Sequence, residues 1–141
     1  MENYQSQEKY LKILKTLNYI RSLTYKKITG FLDAGFQRLF SGLWMDSMTN
    51  ATEIDQLLSN GMGNFTHQNS MQSTSLLKFP TEESEDVFEH CREAEWRLLR
   101  FYEELISNPR VTEEWRSLLI PQRDKVRTVY EYLNLLSRNP W

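Results

Sequence analysis

The chain is predicted to be all-α, a single four-helix-bundle domain spanning residues 1–141, with a long crossover between its second and third helices. Three observations predict this. Apolar residues recur at spacings of three and four through four long segments, which is the period of a helix face and not of a strand. Only five glycines and four prolines punctuate 141 residues. One stretch in the middle, residues 61–80, is polar, without a period, and long enough to run the length of a helix.

The first helix is expected over residues 7–40, with Tyr10, Ile13, Leu17, Ile20, Thr24, Ile28, Phe31 and Gly35 on one stripe. Lys9, Lys12, Lys15, Arg21, Lys26 and Lys27 fall mostly off that stripe. Gly30 and Gly35 mark either a close helix contact or an early end. A second helix is expected over residues 43–59, after Ser41-Gly42, with Trp44, Ser47, Ala51, Ile54 and Leu58 inward and Gly61 and Gly63 as its stop. Helix 3 is expected over residues 82–107, capped by Thr81 and ended by Asn108-Pro109. Its stripe is Phe88, Cys91, Glu95, Leu98, Tyr102 and Leu105, so a carboxylate occupies a core slot. Helix 4 is expected over residues 112–137, capped by Thr112, with Trp115, Leu119, Gln122, Val126, Val129, Leu133 and Leu136 inward. Pro121 inside it predicts a kink or a restart, because it removes one ladder bond.

The crossover has a geometric rationale. A helix of this size is about 39 Å long at 1.5 Å per residue. About 20 extended residues reach roughly 65 Å. A connection of that reach lets helices 2 and 3 run parallel, which is the ferritin-like variant of the bundle.

Composition narrows the function classes. The net charge of −2 gives no global attraction to nucleic acid or membrane. Charge is uneven, however: residues 1–42 hold seven basic and three acidic side chains, and residues 81–141 hold nine and thirteen. A basic face on helix 1 that meets nucleic acid or anionic lipid is the sharper reading of that asymmetry, and ordinary asymmetry between packed helices the plainer one. Cys91 is the sole cysteine, which excludes an intramolecular disulfide and a Cys-based zinc site. No apolar run approaches the roughly 20 residues of a membrane span, and the N-terminus carries no signal pattern. The expectation is a cytoplasmic protein without membrane or nucleic-acid partner.

A di-metal carboxylate centre is the chemistry to test first in such a bundle. It needs Glu-x-x-His on two helices, so that both side chains share a face. Asn64 lies three before His67 and Val87 three before His90, so the motif is absent. The polar residues left on core stripes are Glu95 and Gln122, on helices that a short connection makes antiparallel neighbours. They are the candidate site, a core polar pair, with tyrosines such as Tyr25 or Tyr102 as possible donors. A structural contact that sets helix register and a small-ligand or single-metal site both remain open for it. Cys91 reads as an inert core thiol, since His90 points about 100° away on the same helix. Glu89–Arg92, Glu93–Arg97 and Arg100–Glu104 read as pairs along a solvated helix face. Tyr4, Tyr19, Trp96, Phe101, Tyr130, Tyr132 and Trp141 do not all fit one interior stripe, and a surface remainder points to a partner or to self-association.

Cys91-Arg-Glu-Ala-Glu95, Tyr102, Glu103-Glu-Leu105, Leu118-Leu119 and Gln122 resemble a bacterial family of ferritin-like four-helix bundles of unknown function. Gly30-Phe31 and Ala34 resemble its helix 1 pattern. The resemblance implies a ferritin-like fold with the crossover, and matches Glu95 and Gln122 to the family's helix 3 carboxylate and helix 4 glutamine. The chain departs from it at Ala94, Trp96 and Tyr130, where the family has Gly, Asp and commonly His. Tyr102 and Tyr130 are the accessory positions of the implied site. With those departures the expectation is no catalytic residue, no metal ligand and no cofactor. What remains is a non-catalytic bundle that acts through a protein partner or as a homo-oligomer. The alternative is a degenerate metal- or small-ligand site around Glu95 and Gln122.

Overall fold

The computed structural model describes residues 2–30, 32–62 and 87–137. They form four helices, α1 (Glu2–Thr29), α2 (Ala34–Met62), α3 (Val87–Ser107) and α4 (Glu113–Ser137), with no strand among the described residues. None of these helices is long and apolar enough to cross a membrane.

The expected first helix, 7–40, is two helices. The chain turns at Gly30, whose N–H donates to the Lys27 carbonyl at 3.1 Å, and restarts where the Asp33 carbonyl accepts from Phe36 and Gln37 at 2.9 and 3.1 Å. Ser41-Gly42, expected to separate two helices, lies inside α2. Phe40 and Leu43 on either side are buried, while Gly42 is exposed, so the missing side chain forfeits no contact and the packed neighbours carry the helix through. Gly61 is likewise inside α2 and not its stop. Gly63, the rest of the expected crossover, the expected start of helix 3 at residues 82–86 and His67 lie outside the described residues. At the start of α4 the Thr112 hydroxyl accepts from the Trp115 N–H at 3.2 Å, a side-chain cap. The helix then runs unbroken through Pro121, which faces solvent, so no restart occurs.

Cross-helix contacts fix the directions. Lys15 meets Asp55, Arg21 meets Ser47 and Lys26 meets Trp44, so α1 and α2 are antiparallel. Asn18 meets Tyr102 and Arg21 meets Glu95, so α1 and α3 are antiparallel. Arg92 meets Asn134, Trp96 meets Tyr130 and Arg127 meets Glu103, so α3 and α4 are antiparallel. Helices α2 and α3 therefore run the same way. Phe36 and Phe40 near the start of α2 accordingly touch Phe88 at the start of α3, with centroids 4.9 and 6.1 Å apart. The molecule is two antiparallel hairpins, α1–α2 and α3–α4, closed face to face.

The core runs the length of both hairpins. Leu11, Leu14, Ile28, Ile54, Leu58, Cys91, Leu98, Leu119, Val126 and Leu133 are almost wholly removed from solvent. On α1 the face that turns inward shares only Ile28 with the expected stripe, of which Leu17 is also buried. That face is Gln7, Leu11, Leu14, Asn18, Arg21, Tyr25 and Ile28, alternating four and three, with three polar members. Tyr10 is exposed and Ile13, Ile20 and Thr24 are half-buried. Arg21 and Lys15, expected on the solvated side, are buried because each finds a carboxylate on another helix. Thr16 is also buried, at 2% exposure, although it lies about 160° around α1 from Asn18.

Candidate functional site

The polar side chains of the interior form two adjacent layers. In the first, the Arg21 guanidinium of α1 grips the Glu95 carboxylate of α3 with two parallel bonds, Nε to Oε2 at 2.7 Å and Nη2 to Oε1 at 2.5 Å. The planar fork of arginine matches a carboxylate in this way, and lysine does not. Tyr25, one turn along α1, donates its hydroxyl to the same Oε2 at 2.9 Å. The remaining face of the guanidinium is used too: Nη1 donates to Ser47 Oγ of α2 at 3.0 Å, and Ser47 donates onward to the Leu43 carbonyl at 2.7 Å. Arg21 and Glu95 are 2% and 0% exposed, so both charges are satisfied inside the protein.

The second layer takes one residue each from α1, α3 and α4 and two from α2. Asn18 of α1 donates to the Tyr102 hydroxyl of α3 at 2.9 Å, and Tyr102 donates to Gln122 Oε1 of α4 at 2.6 Å. Gln122 Nε2 donates to Glu53 of α2 at 2.9 Å. Asn50 of α2 closes the circuit by donating to Asn18 Oδ1 at 3.2 Å. Ser22 Oγ alone, among the buried side-chain polar atoms described, has no partner.

The electrostatics follow from burial. Burial by itself would lower the Arg21 pKa, but the Glu95 charge beside it outweighs that and holds it above its ordinary value. Burial, and then the nearby Glu95 charge, push the Tyr25 hydroxyl well above the ordinary phenol range. The Tyr102 hydroxyl is raised as well, chiefly by burial against the opposing pull of the bond from Asn18. Cys91 sits beneath this layer with its thiol pushed up by burial and by Glu95. A thiol held protonated is a poor nucleophile and a poor metal ligand.

The predicted pair is thus divided between the two layers. Glu95 is buried in its core slot, but its partners are Arg21 and Tyr25; Gln122 bonds to Tyr102, Glu53 and, at 3.4 Å, the Asn50 carbonyl. The reason is charge: a cation on α1 neutralises Glu95, which an amide cannot do, and Gln122 is left to bridge neutral hydroxyl and carboxylate neighbours. Of the accessory tyrosines, Tyr102 is central. Tyr130 instead is half-buried against the core, apart from both polar layers, with its ring tilted 37° to that of Trp96 and centroids 5.4 Å apart. Sequence reasoning missed Arg21, Asn18, Asn50 and Glu53; it placed Ser47 on an inward stripe, where it is, without assigning it to the site. The signal that could have found Arg21 is Glu95 itself: a carboxylate in a core slot demands a cation, and the four-and-three spacing through Asn18, Arg21 and Tyr25 supplies one.

Among the described residues no group of three or more His, Cys, Asp and Glu side chains is arranged to hold a metal ion. His90 is exposed, away from the core. Chemically, the interior is a set of closed bonds whose donors and acceptors are nearly all consumed. Fold and interior together define an all-helical bundle cross-braced by a buried ion pair. Comparison with family models, with curated proteins and with solved structures returned no match.

Proposed function

We propose that the chain is a ferritin-like bundle whose core cation is an arginine, and that it works without catalysis, by association with a protein surface or with copies of itself. The observation that carries this reading is the bidentate Arg21–Glu95 pair. A di-metal bundle places cations among carboxylates at its centre; here the guanidinium already occupies the carboxylate that such an ion would need. A bound metal would have to displace a buried, hydrogen-bonded cation and leave that cation unpaired. The outside of the molecule supports the second half of the proposal. Met45, Leu135, Leu23, Tyr132 and Trp96 are exposed, at 63%, 70%, 49%, 43% and 42%. Large apolar groups that contribute nothing to the core are the usual raw material of interfaces.

The crossover belongs to this proposal. The parallel directions of α2 and α3 support a crossover over residues 63–86 between opposite ends of the bundle. Their 24 positions reach roughly 80 Å when extended, against about 43 Å for α2. Two of the departures from the resembling family, Trp96 and Tyr130, contact each other at a tilt of 37° and take no part in the two polar layers described above.

Metal content tests the reading. Protein exposed to iron, manganese and zinc and then desalted is expected to retain far less than one ion per chain. One ion per chain, lost in Glu95→Gln, would overturn it.

A further inference from the structure

We propose that the outward face of α3 docks antiparallel against α3 of a second copy, about a two-fold axis near Arg100. This rests on the reading above that the protein acts by association, and names the partner and the face. The face has a centre suited to an interface. Trp96 is 42% exposed yet held in place, packed against Tyr130 at 5.4 Å with the rings tilted by 37° and capped by the Arg100 guanidinium at 5.8 Å from the ring centre. Trp, Tyr and Arg are the residues that dominate binding energy at interfaces. A rigid ring loses little conformational entropy on docking. Beside Trp96 lies an open depression of about 310 Å³ walled by Arg100, Glu103, Glu104 and Ser107.

Charge selects a second copy as the occupant. Along the exposed row, Arg97 lies one turn before the dyad position at Arg100 and Glu104 one turn after it, while Glu103 is half-buried and paired with Arg127. Arg97 has no ion-pair partner among the described residues, and Glu104 reaches only the edge of Arg100, at 3.9 Å with its side chain 75% exposed. An antiparallel copy reverses the order. In a two-fold contact, residue i meets j and j meets i. An axis near Arg100 therefore sets Arg97 against the second copy's Glu104 twice. It also brings each Trp96 over the other copy's depression. The two Arg100 side chains approach near the axis, each already beside a Glu104 of its own chain. The same row offers an acidic or a basic partner no such balance, because its exposed members Glu93, Arg97, Arg100 and Glu104 include as many glutamates as arginines.

The test is sedimentation velocity on the full chain across a concentration series, with helix content checked by circular dichroism. Wild type is expected to run as two chains. Trp96→Glu, Arg97→Glu and Glu104→Arg are each expected to raise the dimer dissociation constant about tenfold or more. The double variant Arg97→Glu with Glu104→Arg is expected to recover most of that loss, a result that no general damage to the fold would give. A monomeric wild type at all concentrations overturns the second copy as occupant, while association with another protein stays possible. A dimer untouched by all three single changes overturns the α3 face and leaves self-association standing. Single charge reversals that weaken the dimer without rescue in the double variant overturn the antiparallel register.

Discussion

At the scale of single residues, the Arg21–Glu95 pair dominates the energetics. Taking two charges out of water costs several kcal/mol each, and only the bidentate geometry and the Tyr25 and Ser47 bonds repay it. Removing one partner is therefore worse than removing both. Arg21→Met is expected to destabilise the fold by about 3–5 kcal/mol, since it leaves Glu95 buried with one phenol for company. The pair Arg21→Met with Glu95→Met is expected to recover most of that loss in urea unfolding, and to equal or exceed wild type if the methionines pack well. A second residue-scale prediction concerns alkaline pH. Tyr25, Tyr102 and Cys91 all hold their protons more tightly in the folded state than they would unfolded. Unfolded thiols and phenols release theirs near about pH 8.5 and 10. Above those values the folded state carries more protons than the unfolded one, so stability falls as pH rises. The stabilisation is whole below about pH 8.5 and declines above it, by up to about 1.4 kcal/mol per pH unit for each group engaged. Urea unfolding from about pH 7 to 11 measures the slope. Tyr25→Phe with Tyr102→Phe is expected to be less stable at neutral pH, because bonds are lost, but to show a shallower alkaline decline.

At the scale of elements, the helices tolerate residues that their positions make harmless. Gly42 is exposed inside α2, and a Cβ there would meet nothing within 4 Å. Gly42→Ala is expected to stabilise the protein by about 0.5–1 kcal/mol, read from the shift in urea midpoint. Pro121 is the larger liability. It is exposed in the interior of α4 and leaves the Ser117 carbonyl without its helical donor. Pro121→Ala removes no buried contact and is expected to add about 1–3 kcal/mol. These sites also show what was legible in the sequence. For α3 and α4, alternating spacing with mostly apolar members put Cys91, Leu98, Tyr102, Leu119, Gln122 and Val126 in the core, and they are there. For α1 the same method followed the apolar stripe through Tyr10, Ile13 and Ile20 and, of the buried residues, caught only Leu17 and Ile28. Hydrophobicity ranks Asn18 and Arg21 as surface residues, and only partners on other helices, invisible to a local pattern, reverse that ranking. The break at Gly30 was ambiguous for a related reason. Gly30, Gly35 and Gly42 look alike in sequence, and tertiary packing of Phe40 and Leu43 decides which glycine ends a helix.

At the scale of the molecule, the two polar layers sit where the α1–α2 hairpin meets the α3–α4 hairpin. Each hairpin is held along its length by contacts between its own helices. Between hairpins, the directional bonds run from Arg21 and Tyr25 to Glu95, from Asn18 to Tyr102, and from Gln122 to Glu53 and Asn50. Apolar side chains pack in many registers at nearly equal energy, whereas a bidentate ion pair and a ring of amides fit in one. The layers therefore contribute less to the depth of the folded state than to its uniqueness. Replacing both layers together with apolar residues of similar volume tests this. Met or Leu at Asn18, Arg21, Glu95 and Gln122, with Phe at Tyr25 and Tyr102, removes every charge and bond that joins the hairpins. The variant is expected to keep its helix content and to resist urea at least as well as Arg21→Met alone. It is also expected to bind a hydrophobic dye and to lose amide NMR dispersion, as a compact state does when specific packing is lost. Sharp, dispersed spectra from it would mean that the apolar core alone specifies how the hairpins meet. The buried arginine would then be a tolerated polar contact and not the device that sets register.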